Sequence, residues 1–311
     1  MTPIKQYFNL GSLKFPFVKA KWPSLVEHRP PTLSIGARFE TKWSRTIPVR
    51  AIRSIITDYL TKPLVRLIAE PTIYGLDRIS EAPTPVIFAA NHASHLDTPL
   101  LLTSLPQRYR HKTVVGAGAD YFFDKRYKGY IYSFFLAAIP LERIRVSRRS
   151  NDLARTILTD GWSLILFPEG GRTTDGFAHE FKGGVAQLAL KTKIPVIPVF
   201  VGGTYEILGK HMSIPKKGKA VVNFGYPLQP VGDDPYAFAK VIENEVARLA
   251  DEVYSDYWSA AINQGANNTP SMRSDDADSW ISDWNRPRYK DLKTSNEKPW
   301  LSLPLTKKNI Q

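Results

Sequence analysis

The 311-residue chain contains no cysteine. That excludes disulfide bridges, cysteine nucleophiles and thiolate metal sites, and it leaves no compositional sign of an oxidising compartment. Long apolar runs are missing too. None reaches the roughly 18 residues that a membrane-spanning helix needs. The opening residues, MTPIKQYFNLGSLKFPF, lack the continuous apolar centre of a secretory signal, so none is expected. Acidic residues are in deficit, 29 against 42 Lys and Arg, a formal net charge of +13. No internal repeat is evident.

What is present is an ordinary globular composition, 43% hydrophobic and 23% charged, long enough for one large domain or two modest ones. The positive excess is uneven. Residues 1–62 hold 11 basic and 3 acidic residues, a net of +8, whereas 63–258 carry +3 and the remainder +2. A basic arm on a nearly neutral body points to an anionic partner, either nucleic acid or anionic lipid.

Residues 1–43 read as an irregular arm, broken by prolines at 3, 16, 23, 30 and 31. Residues 44–71 change character. Ile47, Val49, Ile52, Ile55, Ile56, Tyr59 and Leu60 recur at helical spacing with Arg45, Arg50 and Arg53 between them. This predicts basic amphipathic helices that either lie in a membrane interface or pack on the body with their arginines in water. Residues 72–258 alternate short apolar runs with helical stretches. Strands are expected at Val86–Ala90, Thr113–Ala117, Ser163–Phe167, Val196–Val201 and Ala220–Phe224. Helices are expected at Thr98–Leu105, Lys125–Ala138, Asp152–Asp160, Gly183–Thr192 and Tyr236–Trp258. The fold class is therefore α/β, a single domain with a largely parallel central sheet flanked by helices and preceded by the basic amphipathic helices. Residues 259–311 read as a polar tail, either flexible or partly docked through Trp280, Trp284 and Trp300.

Two segments carry candidate chemistry. In VIFAANHASHLD, a buried strand runs into a polar loop at its carboxyl end, the usual place for a site in an α/β sheet. If His92 lies in that loop and Asp97 in the first turn of the next helix, the carboxylate can fold back to the ring. It then fixes the tautomer and stabilises the imidazolium, the logic of a general base. A satisfied structural pair is the competing reading. A metal set of His92, His95 and Asp97 is a weaker one, because no further ligand cluster stands out. In LILFPEGGRTT, Pro168, Gly170 and Gly171 allow a sharp reversal from which Glu169 and Arg172 project. A guanidinium beside exposed N–H groups suits a phosphate; an internal Glu–Arg ion pair is equally compatible. Lys182, at a helix start, faces an anion or simply water. Arg143 and Arg145 follow an apolar stretch and are phosphate candidates or exposed strand-edge arginines.

These segments, in this order, resemble the glycerolipid acyltransferase family that includes the lysophosphatidate acyltransferases. Residues Asn91 to Asp97 match its N-H-x-x-x-x-D signature. Ile139-Pro140-Leu141-Glu142-Arg143 is similar to its second block, Phe167 to Arg172 to its F-P-E-G-x-R block, and Ile194 to Val199 to its V-P-x-x-P-V block. The resemblance covers about Thr72 to Trp258. The sequence departs from the pattern at Gly171, where threonine is common, and at Pro140-Leu141-Glu142, where a β-branched run with aspartate is usual. The resemblance implies acyl transfer from a thioester, acyl-CoA or acyl carrier protein, to the hydroxyl of lysophosphatidate, without a resident cofactor or metal. It implies His92 as base, Asp97 as its orienting partner, and Arg143, Glu169, Gly170, Gly171, Arg172 and Lys182 as the phosphate-binding set. Phe122, Phe123, Phe134 and Phe135 are candidates for an acyl tunnel lining or are plain core residues. The implied partners are a phospholipid membrane surface, a lysophospholipid and the acyl donor, not nucleic acid. The implied place is peripheral or monotopic, on the cytoplasmic face of a membrane. Acylation of another lysophospholipid, a glycolipid or an aminolipid is the rival within the class. A non-catalytic lipid- or nucleic-acid-binding protein is the rival outside it.

Overall fold

The computed structural model describes residues 36, 38–142 and 148–273. Most of the basic arm, Arg143, Arg145 and the tail tryptophans lie outside the described residues. Seven strands form one sheet: β1 (Thr72–Tyr74), β2 (Ile87–Ala90), β3 (Thr113–Gly118), β4 (Ala138–Leu141), β5 (Ser163–Leu166), β6 (Val196–Gly202) and β7 (Val221–Phe224). Their order is β1-β7-β6-β2-β5-β3-β4, parallel throughout except for the β6–β7 pair. The helices before the sheet are α1 (Ile47–Ile56) and α2 (Lys62–Ala69), joined through a π-type turn at Thr57–Thr61. Between strands come α3 (Asp97–Ser104), α4 (Gln107–Arg110), α5 (Ala119–Phe122), α6 (Arg126–Leu136), α7 (Arg148–Thr159), α8 (Gly184–Thr192) and α9 (Thr204–Leu208). The helices α10 (Pro235–Tyr254) and α11 (Tyr257–Gly265) follow the sheet.

Every residue of β2 is fully buried, because helices cover both faces of the sheet. Strand side chains alternate between faces. Ile87 and Ala89 join a core with α7, α8 and α10, whereas Phe88 and Ala90 join one with α2, α3 and Tyr109. Phe88 meets Tyr109 and Phe224 edge to face at 5.4 and 6.3 Å.

The five expected strands all form, and two more were not anticipated. β1 has only three residues and pairs at the sheet edge with β7. β4 begins where the expected helix Lys125–Ala138 was to end. Ala137 adopts a left-handed conformation (φ 50°) that closes α6 after Leu136 and turns the chain into β4. The expected boundary at 258/259 falls inside α11, whose first turn is capped by Asp256 through the N–H groups of Trp258 and Ser259. The chain then stays on the body as far as Arg273: Ala178 N–H donates to Met272 O, and Arg273 pairs with Glu243 at 2.6 Å.

The polarity of α1 is reversed relative to a helix packed on a core, whereas α2 packs Val65 and Ala69 into the core and leaves Leu64 and Leu67 exposed. Arg53 faces inward, 8% exposed, and donates to the carbonyls of Ser44 and Phe134. Burial, together with Arg50 and Arg45, pulls its guanidinium down to about 10. Ile47, Ile52, Ile55, Tyr59, Leu64 and Leu67 point outward and are exposed. The reading in which the arginines face water and the apolar stripe packs on the body is therefore overturned for Arg53 and for this stripe.

Candidate active site

β2 lies between β5 and β6, so the loops leaving the carboxyl ends of all three meet. In register, Ala89 stands beside Leu166 of β5 and Ala90 beside Val199 of β6. The chain passes from β5 across β2 to β6, so the crevice sits where connections diverge to either side of β2. Asn91 extends the β2–β6 pairing. Its side-chain amide donates to Val201 O and accepts from Val201 N–H, both at 2.8 Å.

His92 and Asp97 come together as the spacing allowed. His92 Nδ1 lies 2.8 Å from Asp97 Oδ2. The same oxygen accepts the N–H groups of Ala93 and Ser94, each at 2.8 Å. Oδ1 accepts the Thr204 hydroxyl at 2.5 Å. Asp97 is wholly buried, yet its carboxylate has four donors, which is what a buried charge requires. Three of these contacts are donors by their chemistry, and a His92 tautomer with the proton on Nδ1 would supply the fourth. The His92 ring stacks on Phe167, centroids 4.0 Å apart. Its Nε2 has no protein partner among the described residues, and His92 lines the adjoining cavity.

Glu169 differs from expectation. It is 3% exposed, and its two oxygens accept the N–H groups of His92 (2.8 Å) and His179 (3.1 Å). Thr173 N–H closes the junction onto His92 O at 3.1 Å. Glu169 thus braces the His92 loop against the Pro168–Thr173 turn, and its carboxylate is not presented to a ligand. Burial pushes it up to about 8, against the two N–H groups that favour its ionised form. The alternative of an internal Glu169–Arg172 ion pair is not what the structure contains: both Glu169 oxygens are held by backbone, and Arg172 has no carboxylate partner among the described residues.

Gly170 and Gly171 line the cavity with Lys182. Gly170 is left-handed (φ 76°), and a Cβ there would stand 2.7 Å from Lys182 Nζ, so the glycine lets the ammonium cross the turn. Arg172 is near enough to depress His95, which burial first, then Arg172 and His92, bring down to about 4. His95 is therefore neutral at physiological pH. Its ring stacks on Tyr121 at 5.9 Å. Lys182 lines the cavity, whereas Arg172 is placed only by its influence on His95, which also lines it; Arg143 lies outside the described residues.

From His92 the cavity, about 390 Å³, runs between the carboxyl ends of β3, β4 and β5 and the helices α6, α7 and α8. Val115, Leu141, Leu166, Val185 and Leu188 make its wall largely apolar. Of the four phenylalanines proposed from sequence to line a tunnel, only Phe122 does. Phe123 is buried against Phe39, and Phe135 points to solvent. Thr204 was missed by sequence reasoning. It follows β6, 107 residues from its partner, and no local pattern marks it.

Residues 70–202 match the family model described as Acyltransferase. The chain is 32% identical over 155 residues to a chloroplastic 1-acyl-sn-glycerol-3-phosphate acyltransferase of Brassica napus, covering 49% of this chain and 41% of that one. It is 24% identical over 227 residues to a Mus musculus 1-acyl-sn-glycerol-3-phosphate acyltransferase alpha, covering 68% of this chain and 76% of the relative. The crystal structure of the 1-acyl-sn-glycerophosphate acyltransferase PlsC from Thermotoga maritima superposes with a TM-score of 0.55 at 25% identity, over 70% of this chain and 83% of that one. The chain spans about two fifths of the length of the first plant relatives it matches.

Two stability experiments follow from the buried carboxylates. Thr204→Val leaves Asp97 Oδ1 buried without its donor and should cost about 1–3 kcal/mol in urea unfolding, while Thr204→Ser stays near wild type. For Glu169, the folded value of about 8 lies above the ~4.3 of a free glutamate. Between those values the folded chain keeps a proton that the unfolded chain releases. Stability conferred by the protonated form is thus lost as pH rises through that window, by up to about 1.4 kcal/mol per unit. The stability of wild type relative to Glu169→Gln should decline from pH 5 to pH 8; a difference that stays flat would show Glu169 ionised throughout.

Proposed function

We propose that the protein, whose residues 70–202 match the Acyltransferase family model, moves a fatty acyl group from an acyl thioester to the free hydroxyl of lysophosphatidate, giving phosphatidate. The observation that carries this reading is the His92–Asp97 pair at 2.8 Å, opening on an apolar cavity of about 390 Å³.

In this mechanism His92 Nε2 takes the proton of the acceptor hydroxyl as the oxygen attacks the thioester carbonyl. Asp97 holds the Nδ1–H tautomer and balances the imidazolium. A C–O bond forms, the tetrahedral intermediate collapses, the C–S bond breaks, and the departing thiolate takes the proton back from His92. No acyl-enzyme is required, and the chain has no cysteine to form one. Arg172 and Lys182 hold the acceptor phosphate, joined by Arg143. The acyl chain lies in the cavity. The donor is acyl-CoA or acyl carrier protein, and no resident cofactor takes part. The outward apolar stripe of α1 and α2 rests in a phospholipid interface.

Purified full-length protein, given lysophosphatidate and either donor, should yield phosphatidate by mass spectrometry. His92→Ala should slow it by about 10²–10⁴. Unchanged turnover by that variant would overturn the base assignment, and acylation of some other lysolipid alone would overturn the acceptor. Arg172→Ala should raise the KM for lysophosphatidate roughly 10- to 150-fold, the loss of one charge-assisted bond. The penalty should shrink with a monoacylglycerol, which lacks the phosphate. Equal losses on both acceptors would make Arg172 structural.

A further inference from the structure

Between α9 and β7 the chain crosses a loop, residues 209–219, that the mechanism does not use. From Gly209 to Gly232 there is no Asp or Glu, yet the loop holds Lys210, Lys216, Lys217, Lys219 and His211. Lys210, Lys216 and Lys217 are exposed. Amid them Ile214 is 78% exposed, next to Pro215. A single exposed isoleucine is unremarked on most surfaces. This one sits at the tip of an acid-free cationic loop.

The loop's position is fixed. Gly218 N–H donates to Ile68 O at 2.9 Å and Ala220 N–H to Ala69 O at 2.7 Å, which moors it along the last turn of α2. Lys216 N–H donates to Ile207 O at 2.9 Å. A Cβ at Gly218 would stand 2.7 Å from Ile207 Cγ1, so the loop lies tight against α9. Its lysines therefore flank the C-terminal end of α2, where Leu67 is exposed, with Leu64 exposed nearer the start of the same helix. Glu70 at the end of α2 and Glu206 on α9 are exposed nearby, but the loop itself sets apolar beside cationic side chains without an acid, which is complementary to the headgroup layer of an anionic leaflet with its acyl boundary beneath.

We propose that residues 209–219 are a second membrane-contact element: Ile214 enters the interface of an anionic phospholipid bilayer, and Lys210, Lys216 and Lys217 remain at headgroup level beside α2. This rests on the reading of α1 and α2 as membrane-facing. The loop also reaches the candidate site. Leu208 O, at its start, accepts the Ser94 hydroxyl at 2.6 Å, and Ser94 N–H donates to Asp97. Contact with the leaflet at this loop thereby sets the position of the bilayer relative to the His92–Asp97 pair.

The absence of cysteine allows a direct test on the full-length chain. Ile214→Cys, Leu64→Cys and, on α11, Ile262→Cys are each labelled with a polarity-sensitive dye. They are mixed with vesicles of phosphatidylcholine alone, with vesicles containing phosphatidylglycerol, or with duplex DNA. Labels at 214 and 64 should shift to the blue on the anionic vesicles, and the label at 262 should not. The unlabelled variant Lys210→Gln/Lys216→Gln/Lys217→Gln should bind anionic vesicles on the order of 10²-fold more weakly at low salt, with unchanged binding to phosphatidylcholine. A response at 64 without one at 214 overturns the loop proposal and leaves the α1–α2 reading standing. Silence at both overturns that reading itself. An equal response at 262, or a response at 214 to DNA and not to vesicles, also overturns the proposal.

Discussion

The site depends on one constraint: a carboxylate removed from water must be surrounded by donors. Asp97 is wholly buried. An unpaired charge there would cost several kcal/mol or be neutralised. The chain answers with two backbone N–H groups from its own loop, the imidazole five residues upstream, and a hydroxyl from beyond β6. Three of those donors belong to the one loop after β2 and the fourth comes from beyond β6. It reaches Asp97 because β2 and β6 are neighbours, so strand pairing completes the electrostatics of the site.

Glu169 meets the same constraint in the next loop, with two backbone N–H groups in place of four donors. Burial raises it, with Asp97 and Glu243 adding to the effect. Both carboxylates are thus consumed within the scaffold, and the cations near them are not. Lys182 lines the cavity, Arg172 lies near His95 at its side, and neither has an acidic partner among the described residues. His95 stays neutral at physiological pH and adds no charge of its own. What remains directed at a ligand is one imidazole nitrogen, two cations and an apolar wall, the inventory that acyl transfer to a phosphorylated lipid calls for.

Much of this was legible in the sequence. The central strands read as continuous apolar runs because helices bury both faces of the sheet, and period and length suffice to find such strands. β4 did not, since its apolar residues prolong the stripe of α6 and only the left-handed Ala137 separates them. The meeting of His92 with Asp97 was readable because both residues lie within one loop. The link from Thr204 was not, because a hydroxyl beyond a remote strand carries no local sign. Glu169 was assigned to the ligand because spacing reports which side chains leave a turn, not which way they point. The orientation of α1 was open for a related reason: an apolar stripe opposite arginines looks the same in sequence whichever side faces the body.

That orientation bears on the proposed contact with a bilayer. Among the described residues no helix is long and apolar enough to cross one. The stretch from Ile47 to Ala69 contains Arg50, Arg53, Asp58, Lys62 and Arg66. Placing even one of these at the centre of a bilayer costs roughly 2.5–3.5 kcal/mol on insertion scales. Lying in the interface avoids that cost. Arg53 is already satisfied against the body by backbone carbonyls, Asp58 pairs with Arg110 of α4, and the others can reach headgroups while the isoleucines and leucines enter the acyl boundary. The distribution of charge along α1 and α2, more than their length, therefore favours a helix pair lying on the leaflet, with its apolar side outward and its one buried arginine locked into the domain.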